Sequence, residues 1–99
     1  MQKKISRESV VKPASEQLSC DLAGEAVILN LQSGQYFGLN EIGSRVWSLI
    51  QEPRTIGDVF EILSQEYAVT PAQLEQDLFV LFKKMLLGGL IDVDNEKSS

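Results

Sequence analysis

The chain has 99 residues, 43% hydrophobic and 23% charged, a size and composition that support one globular domain with a core of its own. Fourteen acidic against nine basic side chains give a formal net charge of −5, which argues against nucleic acid as the main partner because phosphate binding is dominated by Lys and Arg. No apolar run approaches the roughly 18 residues of a membrane span, and the basic start at Lys3-Lys4 lacks the apolar stretch of a secretory signal, so no membrane association and a cytoplasmic location are expected.

Residues 1–16 read as an extended N-terminal segment, polar and loosely held over its first eight positions, ahead of a domain at 17–93 and a flexible tail at 94–99. Gln17 to Asp21 alternates weakly, with Leu18 and Cys20 on one face. After the turn residues Ala23-Gly24, Glu25 to Leu31 reads as a strand rich in apolar and β-branched residues. The next turn sets the register. A two-residue hairpin at Ser33-Gly34 pairs Leu31 with Tyr36 and leaves Phe37 and Leu39 opposite the face of Val27 and Leu29. A three-residue loop, Gln32-Ser33-Gly34, pairs Leu29 with Phe37 and Val27 with Leu39 and puts Gly34 at a left-handed bulge position. A slip of one residue flips every side chain, so the second solution is preferred. It predicts an inner face of Val27, Leu29, Phe37 and Leu39, and an outer face of Ile28, Asn30, Tyr36 and Gly38.

Three helices follow. Asn40 caps the first, with Glu41 in its first turn and Ile42, Val46, Leu49 and Ile50 at helical spacing beside Trp47, a core residue; Pro53 ends it. Thr55 with Asp58 opens the second, whose stripe is Ile56, Val59, Phe60, Leu63 and Tyr67. Thr70-Pro71-Ala72-Gln73 is a capping box that opens the third, which runs to about Leu87 before Gly88-Gly89. Leu90 to Val93 is a short apolar stretch that can pack back on the core. Strands followed by three helices predict an α+β fold of winged helix-turn-helix type, with a three-stranded antiparallel sheet.

The third helix carries more apolar surface than a core stripe needs. Leu74, Leu78, Leu81, Phe82 and Met85 form the stripe, and Phe79 and Leu86 widen it. Val80 falls on the other side among Gln73, Asp77 and Lys84, as the lip of a groove with an apolar floor and charged edges would. The strand Gln35 to Leu39 carries none of the lysines, prolines or inward charges that blunt a sheet edge. An open edge beside such a helix is what β-strand addition of a peptide requires; the residues after Leu90 or a homodimer could cover it instead. Tyr36 either shields the sheet's outer face or stacks on a ligand. Histidine is absent, Cys20 is alone and reads as a small buried hydrophobe, and no acidic pair stands out, so neither catalysis, metal nor cofactor is expected.

The run from Ala26 to Asn40, followed by Gly43 and Val46-Trp47, resembles the signature of PQQ biosynthesis protein D. Asp77, Leu81-Phe82 and Gly89-Leu90-Ile91 extend the similarity over most of 17–93. The resemblance implies a non-catalytic recognition element for ribosomally made precursor peptides, whose leader adds as a strand between the third strand and the third helix. In this chain that site comprises Gln35, Tyr36, Phe37, Gly38 and Leu39 with Asp77, Val80, Leu81 and Lys84. It is most similar to the recognition subunit of lasso-peptide maturation, which works beside a cysteine-protease subunit and an ATP-dependent macrolactam synthetase. A monomer or weak homodimer is expected. The alternatives are a recognition subunit for a radical-SAM enzyme, a winged-helix DNA-binding regulator and a dimerisation module. The mixed charges of the third helix, Glu75 and Asp77 against Lys83 and Lys84, suit the regulator poorly.

Overall fold

The computed structural model describes residues 5–95. Along them run β1 (Ser9–Pro13), β2 (Gln17–Leu22), β3 (Glu25–Asn30), β4 (Tyr36–Gly38), α1 (Glu41–Leu49), β5 (Arg54–Thr55), α2 (Ile56–Glu66), α3 (Pro71–Leu87) and β6 (Ile91–Asn95). The helices begin where the sequence puts their caps. Asn40 Oδ1 accepts from the Gly43 N–H at 2.8 Å, Thr55 Oγ1 from Asp58 at 3.0 Å and Thr70 Oγ1 from Gln73 at 3.4 Å. Only half of the expected capping box forms, because the Gln73 side chain turns down the helix to donate to Asp77 Oδ1 at 2.9 Å. At the end of α3, Gly89 takes φ +74°, and the Gly89 and Leu90 amides donate back to the Leu86 and Met85 carbonyls, a Schellman closure.

Two three-stranded antiparallel sheets flank the helices, in the orders β2-β3-β4 and β5-β1-β6. The α+β architecture with a three-stranded sheet and three helices is as expected; the second sheet is not. Val11, Ile91 and Val93 are all but fully buried in it. Segment 1–16 thus contributes β1, which pairs with β6 from Ser9↔Asn95 to Pro13↔Ile91. Ahead of β1, the Arg7 guanidinium lies 4.5 Å over the Phe60 ring and its Nε reaches Glu75 Oε2 at 2.9 Å. Asp94 and Asn95, assigned by sequence to a loose tail, extend β6; residues 96–99 of that tail and Met1 to Lys4 lie outside the described residues. These pairings join positions more than 75 residues apart, as in Val11↔Val93, and no local pattern announces them.

The register of the hairpin differs from the one expected. β3 and β4 pair Ile28↔Phe37, Leu29↔Tyr36 and Val27↔Gly38. Phe37 and Leu39 do point inward, but their companions on β3 are Ile28, with no exposure, and Asn30, with 8%. Val27 and Leu29 lie on the outer face. The run Ala26-Val27-Ile28-Leu29 is apolar at every position, so alternation cannot choose its face. Asn30 chooses it. Its Oδ1 accepts from the Gln32 and Ser33 amides at 2.9 and 3.3 Å, and its Nδ2 donates to the Gly88 carbonyl at 2.7 Å. A buried amide costs about 1–3 kcal/mol if its partners are lost, and only this register supplies them on both sides.

The core lies between the sheets and the helices, with Phe82, Ile28, Ile50, Leu63 and Leu78 among its fully buried side chains. Trp47 is buried there, as expected. Cys20 is exposed, contrary to expectation, because the face of β2 that carries it points away from the helices. Arg45 of α1 pairs with Glu66 of α2 at 2.6 Å, and this hydrogen bond holds the Glu66 carboxyl below its ordinary range. Among the described residues no helix is long and apolar enough to cross a membrane.

Candidate functional site

β4 is an edge strand, and the residues after Leu90 pair with β1 rather than with it. In an antiparallel ladder alternate residues turn their backbone groups to the neighbouring strand and to the open side. The Leu39 amide donates to the Ala26 carbonyl and the Gln35 carbonyl accepts from the Asn30 amide, so positions 35, 37 and 39 face β3. Tyr36 and Gly38 therefore aim their N–H and C=O groups at the open edge. The Gln35–Leu39 segment expected as one continuous edge divides into two backbone contributors, Tyr36 and Gly38, and two side-chain contributors, Phe37 and Leu39.

Beside this edge runs a groove. Its larger part, about 430 Å³, is lined by Tyr36, Phe37, Gly38 and Leu39 on one wall and by Leu81, Lys84 and Met85 on the other. Asn40 and Leu90 complete its lining. A second hollow of about 320 Å³ shares Asn40, Leu81 and Lys84 with the first and continues along α3 past Asp77 and Val80. The two form one channel. Its floor is apolar and partly buried, Val80 is 50% exposed at its lip, and Lys84 stands where the two halves meet. Among the described residues Lys84 makes no ion pair, whereas Asp77 accepts from Gln73.

The width of the groove is fixed at one end. The Phe37 ring lies over the end of α3 so closely that a Cβ on Gly88 would stand 2.8 Å from its Cζ. Asn30 ties the β3–β4 turn to the same point by its bond to the Gly88 carbonyl. Together they hold β4 against α3 while leaving its outer edge clear.

Eight of the nine residues expected at the site line this channel: Tyr36, Phe37, Gly38, Leu39, Asp77, Val80, Leu81 and Lys84. Gln35 does not; its carbonyl is spent on Asn30 and its amide donates to Ser33 Oγ at 3.3 Å. The sequence reading missed Asn40, Ile42, Val69, Met85 and Leu90. Met85 was recoverable as the position four after Leu81 on the same helix face, and Asn40 as the residue that both follows the strand and caps α1. Val69 comes from the loop before α3, where nothing in its spacing marks it.

The model of the family described as coenzyme PQQ synthesis protein D (PqqD) matches residues 25–91. The chain belongs to the PqqD family. The match covers β3 to the start of β6 and so includes the whole channel. Among solved structures, the PqqD-family chain is similar to TbiB1 in complex with the TbiA(beta) leader peptide, with 32% identity and a TM-score of 0.77 over 82% of this chain and 94% of that one. It also shares its fold with a lasso peptide synthetase B1 complexed with the leader peptide, at 22% identity and a TM-score of 0.74, over 83% of this chain and 96% of that one. No curated protein matches it.

Proposed function

We propose that this chain is a non-catalytic subunit of lasso-peptide biosynthesis that binds the leader of a ribosomally made precursor as a strand added to β4. It presents the precursor to a cysteine-protease subunit and a macrolactam synthetase in the cytoplasm. The observation that carries this reading is the unpaired edge of Tyr36 and Gly38 facing a groove along α3, in a chain 32% identical to a protein solved with a leader peptide. A second reading, delivery to a radical-SAM enzyme, is favoured by the description of the family itself. The genes beside this one separate the two.

Magnitudes decide where affinity and specificity lie. Tyr36 and Gly38 offer hydrogen bonds worth about 0.5–1.5 kcal/mol each, while ordering each leader residue costs about 1–2 kcal/mol. Backbone pairing alone therefore does not hold the peptide. Apolar leader side chains at alternate positions, buried among Phe37, Leu39, Leu81 and Met85, supply the rest at about 1.5–3 kcal/mol each. Lys84 selects an acidic leader residue where the two hollows join. No acid–base or nucleophilic group is needed for any of this.

The test is a titration of labelled protein with the cognate leader. The Tyr36 and Gly38 amides should shift strongly; unchanged positions for both would sink strand addition at this edge. Gly38→Pro removes one outward donor without touching the bonds to β3, and its site has no atom within 4 Å of a built Cβ. It should weaken leader binding at least tenfold.

A further inference from the structure

The channel along α3 carries two charges of opposite sign. Among the described residues that line it, Lys84 is the only cation and Asp77 the only anion. A spacing of seven is about two turns of helix, so both point from the same face with their Cα atoms about 10.5 Å apart. That is too far for them to pair with each other, and their own helix offers no substitute. Three and four positions from Lys84 lie Val80, Leu81, Leu87 and Gly88, none of them charged. The same positions around Asp77 hold Gln73, Leu74, Val80 and Leu81. Glu75, nearby on α3, is taken by Arg7 at 2.9 Å. Asp77 has the Gln73 amide, a neutral donor that leaves its charge uncompensated.

Between the two poles the surface is apolar. Val80, half exposed, stands midway along the helix, and Leu81 reaches both hollows. A peptide that fills the channel strips water from both charges at once. A charge left without a partner there costs more than one left in solvent, so the channel rejects a mismatched peptide as well as attracting a matched one. An extended chain advances about 3.3 Å per residue, so about three positions span the distance from Lys84 to Asp77. Asp77 lines the hollow beyond β4, where no ladder fixes the alternation of side chains. An odd spacing can therefore present both residues to α3.

We infer that the channel selects a dipolar leader segment, in which Lys84 holds an Asp or Glu and Asp77 holds a Lys or Arg about three positions away. An apolar residue between the two rests on Val80. The inference rests on reading this channel as the leader site, and adds to it the second pole, the spacing and the order of the charges. β4 runs from the first hollow toward the second, since Asn40 follows it and lines both. The order of the charges along the leader therefore gives the direction of the added strand. Basic before acidic is antiparallel to β4, and acidic before basic is parallel.

The experiment uses the full chain and a fluorescent cognate leader, followed by anisotropy at low and high salt, with the Tyr36 and Gly38 amide resonances recorded alongside. Asp77 and Lys84 are exposed, so substitutions there cost little folding stability. Lys84→Glu and Asp77→Lys should each weaken binding about tenfold at low salt, and less as salt rises. Asp77→Lys combined with Lys84→Asp should prefer, by about tenfold, a leader whose acidic and basic residues have also been exchanged. Two results overturn the inference: single reversals that leave affinity within about twofold, or an exchanged chain that does not prefer the exchanged leader. Shifts at Tyr36 and Gly38 without any response to charge uphold strand addition and refute the dipolar selection. A full response to charge without those shifts upholds the selection and refutes strand addition.

Discussion

Asn30 accepts from two turn amides and donates to the last carbonyl region of α3, so one buried side chain sets both the hairpin register and the spacing of β4 from the helix. Asn30→Asp keeps the acceptor, loses the donor and puts an anion at the negative end of the helix dipole. It should cost about 2 kcal/mol at neutral pH. Urea unfolding at about pH 7 will show the loss. Gly88 is constrained for a different reason. Its φ of −82° suits any residue, and alanine in place of glycine would ordinarily stiffen the chain favourably. The obstacle is the Phe37 ring at 2.8 Å. Gly88→Ala should cost about 1–3 kcal/mol and weaken leader binding by moving that ring. Combining it with Phe37→Leu should recover part of the stability, a coupling that a double-mutant cycle measures.

Between elements, the groove is a relation of β4 to α3, and its two walls were legible to different degrees. α3 was readable because its cap, its proline at the first position, its stripe and its terminal glycines all agree, and Val80, Leu81 and Lys84 line the channel. β4 was readable as an edge, since no charge or proline protects it. β3 was not readable in register, because four successive apolar residues suit either face and the deciding contact, Asn30 to Gly88, spans 58 positions. The same blindness hid the exposure of Cys20, whose neighbours alternate only weakly and do not say toward what. Val80 tests the wall that was legible. It is half exposed, so Val80→Ser should leave unfolding within about 0.5 kcal/mol of the native chain. Leader affinity, read by fluorescence anisotropy, should fall several-fold through loss of about 1 kcal/mol of apolar burial. Equal affinity would mean that the peptide does not reach the part of the channel beyond Leu81.

At the scale of the molecule, the sheet β5-β1-β6 fastens the far end of the groove. β6 follows directly on Leu90, which lines the channel, and β1 is the strand that holds β6 in place. The Ala14 amide continues this pairing to the Leu90 carbonyl at 2.9 Å. The N-terminal segment therefore supports the groove from behind, although it lies outside the residues matched by the family model. Val11 is its buried anchor, with no exposure and a place opposite both Arg54 and Val93. Val11→Ala should cost about 2 kcal/mol, lowering the melting temperature by roughly 10 °C in a domain of this size. Because only the folded state binds the leader, saturating peptide should raise the melting temperature of the variant and of the native chain alike, by about 2.7 kcal/mol of linkage at a hundred times Kd. Thermal scans with and without leader separate the possibilities. An unchanged melting temperature would mean that β1 is no part of the cooperative unit. A lowered one that the leader fails to raise would mean that the groove loses its shape when β1 loosens.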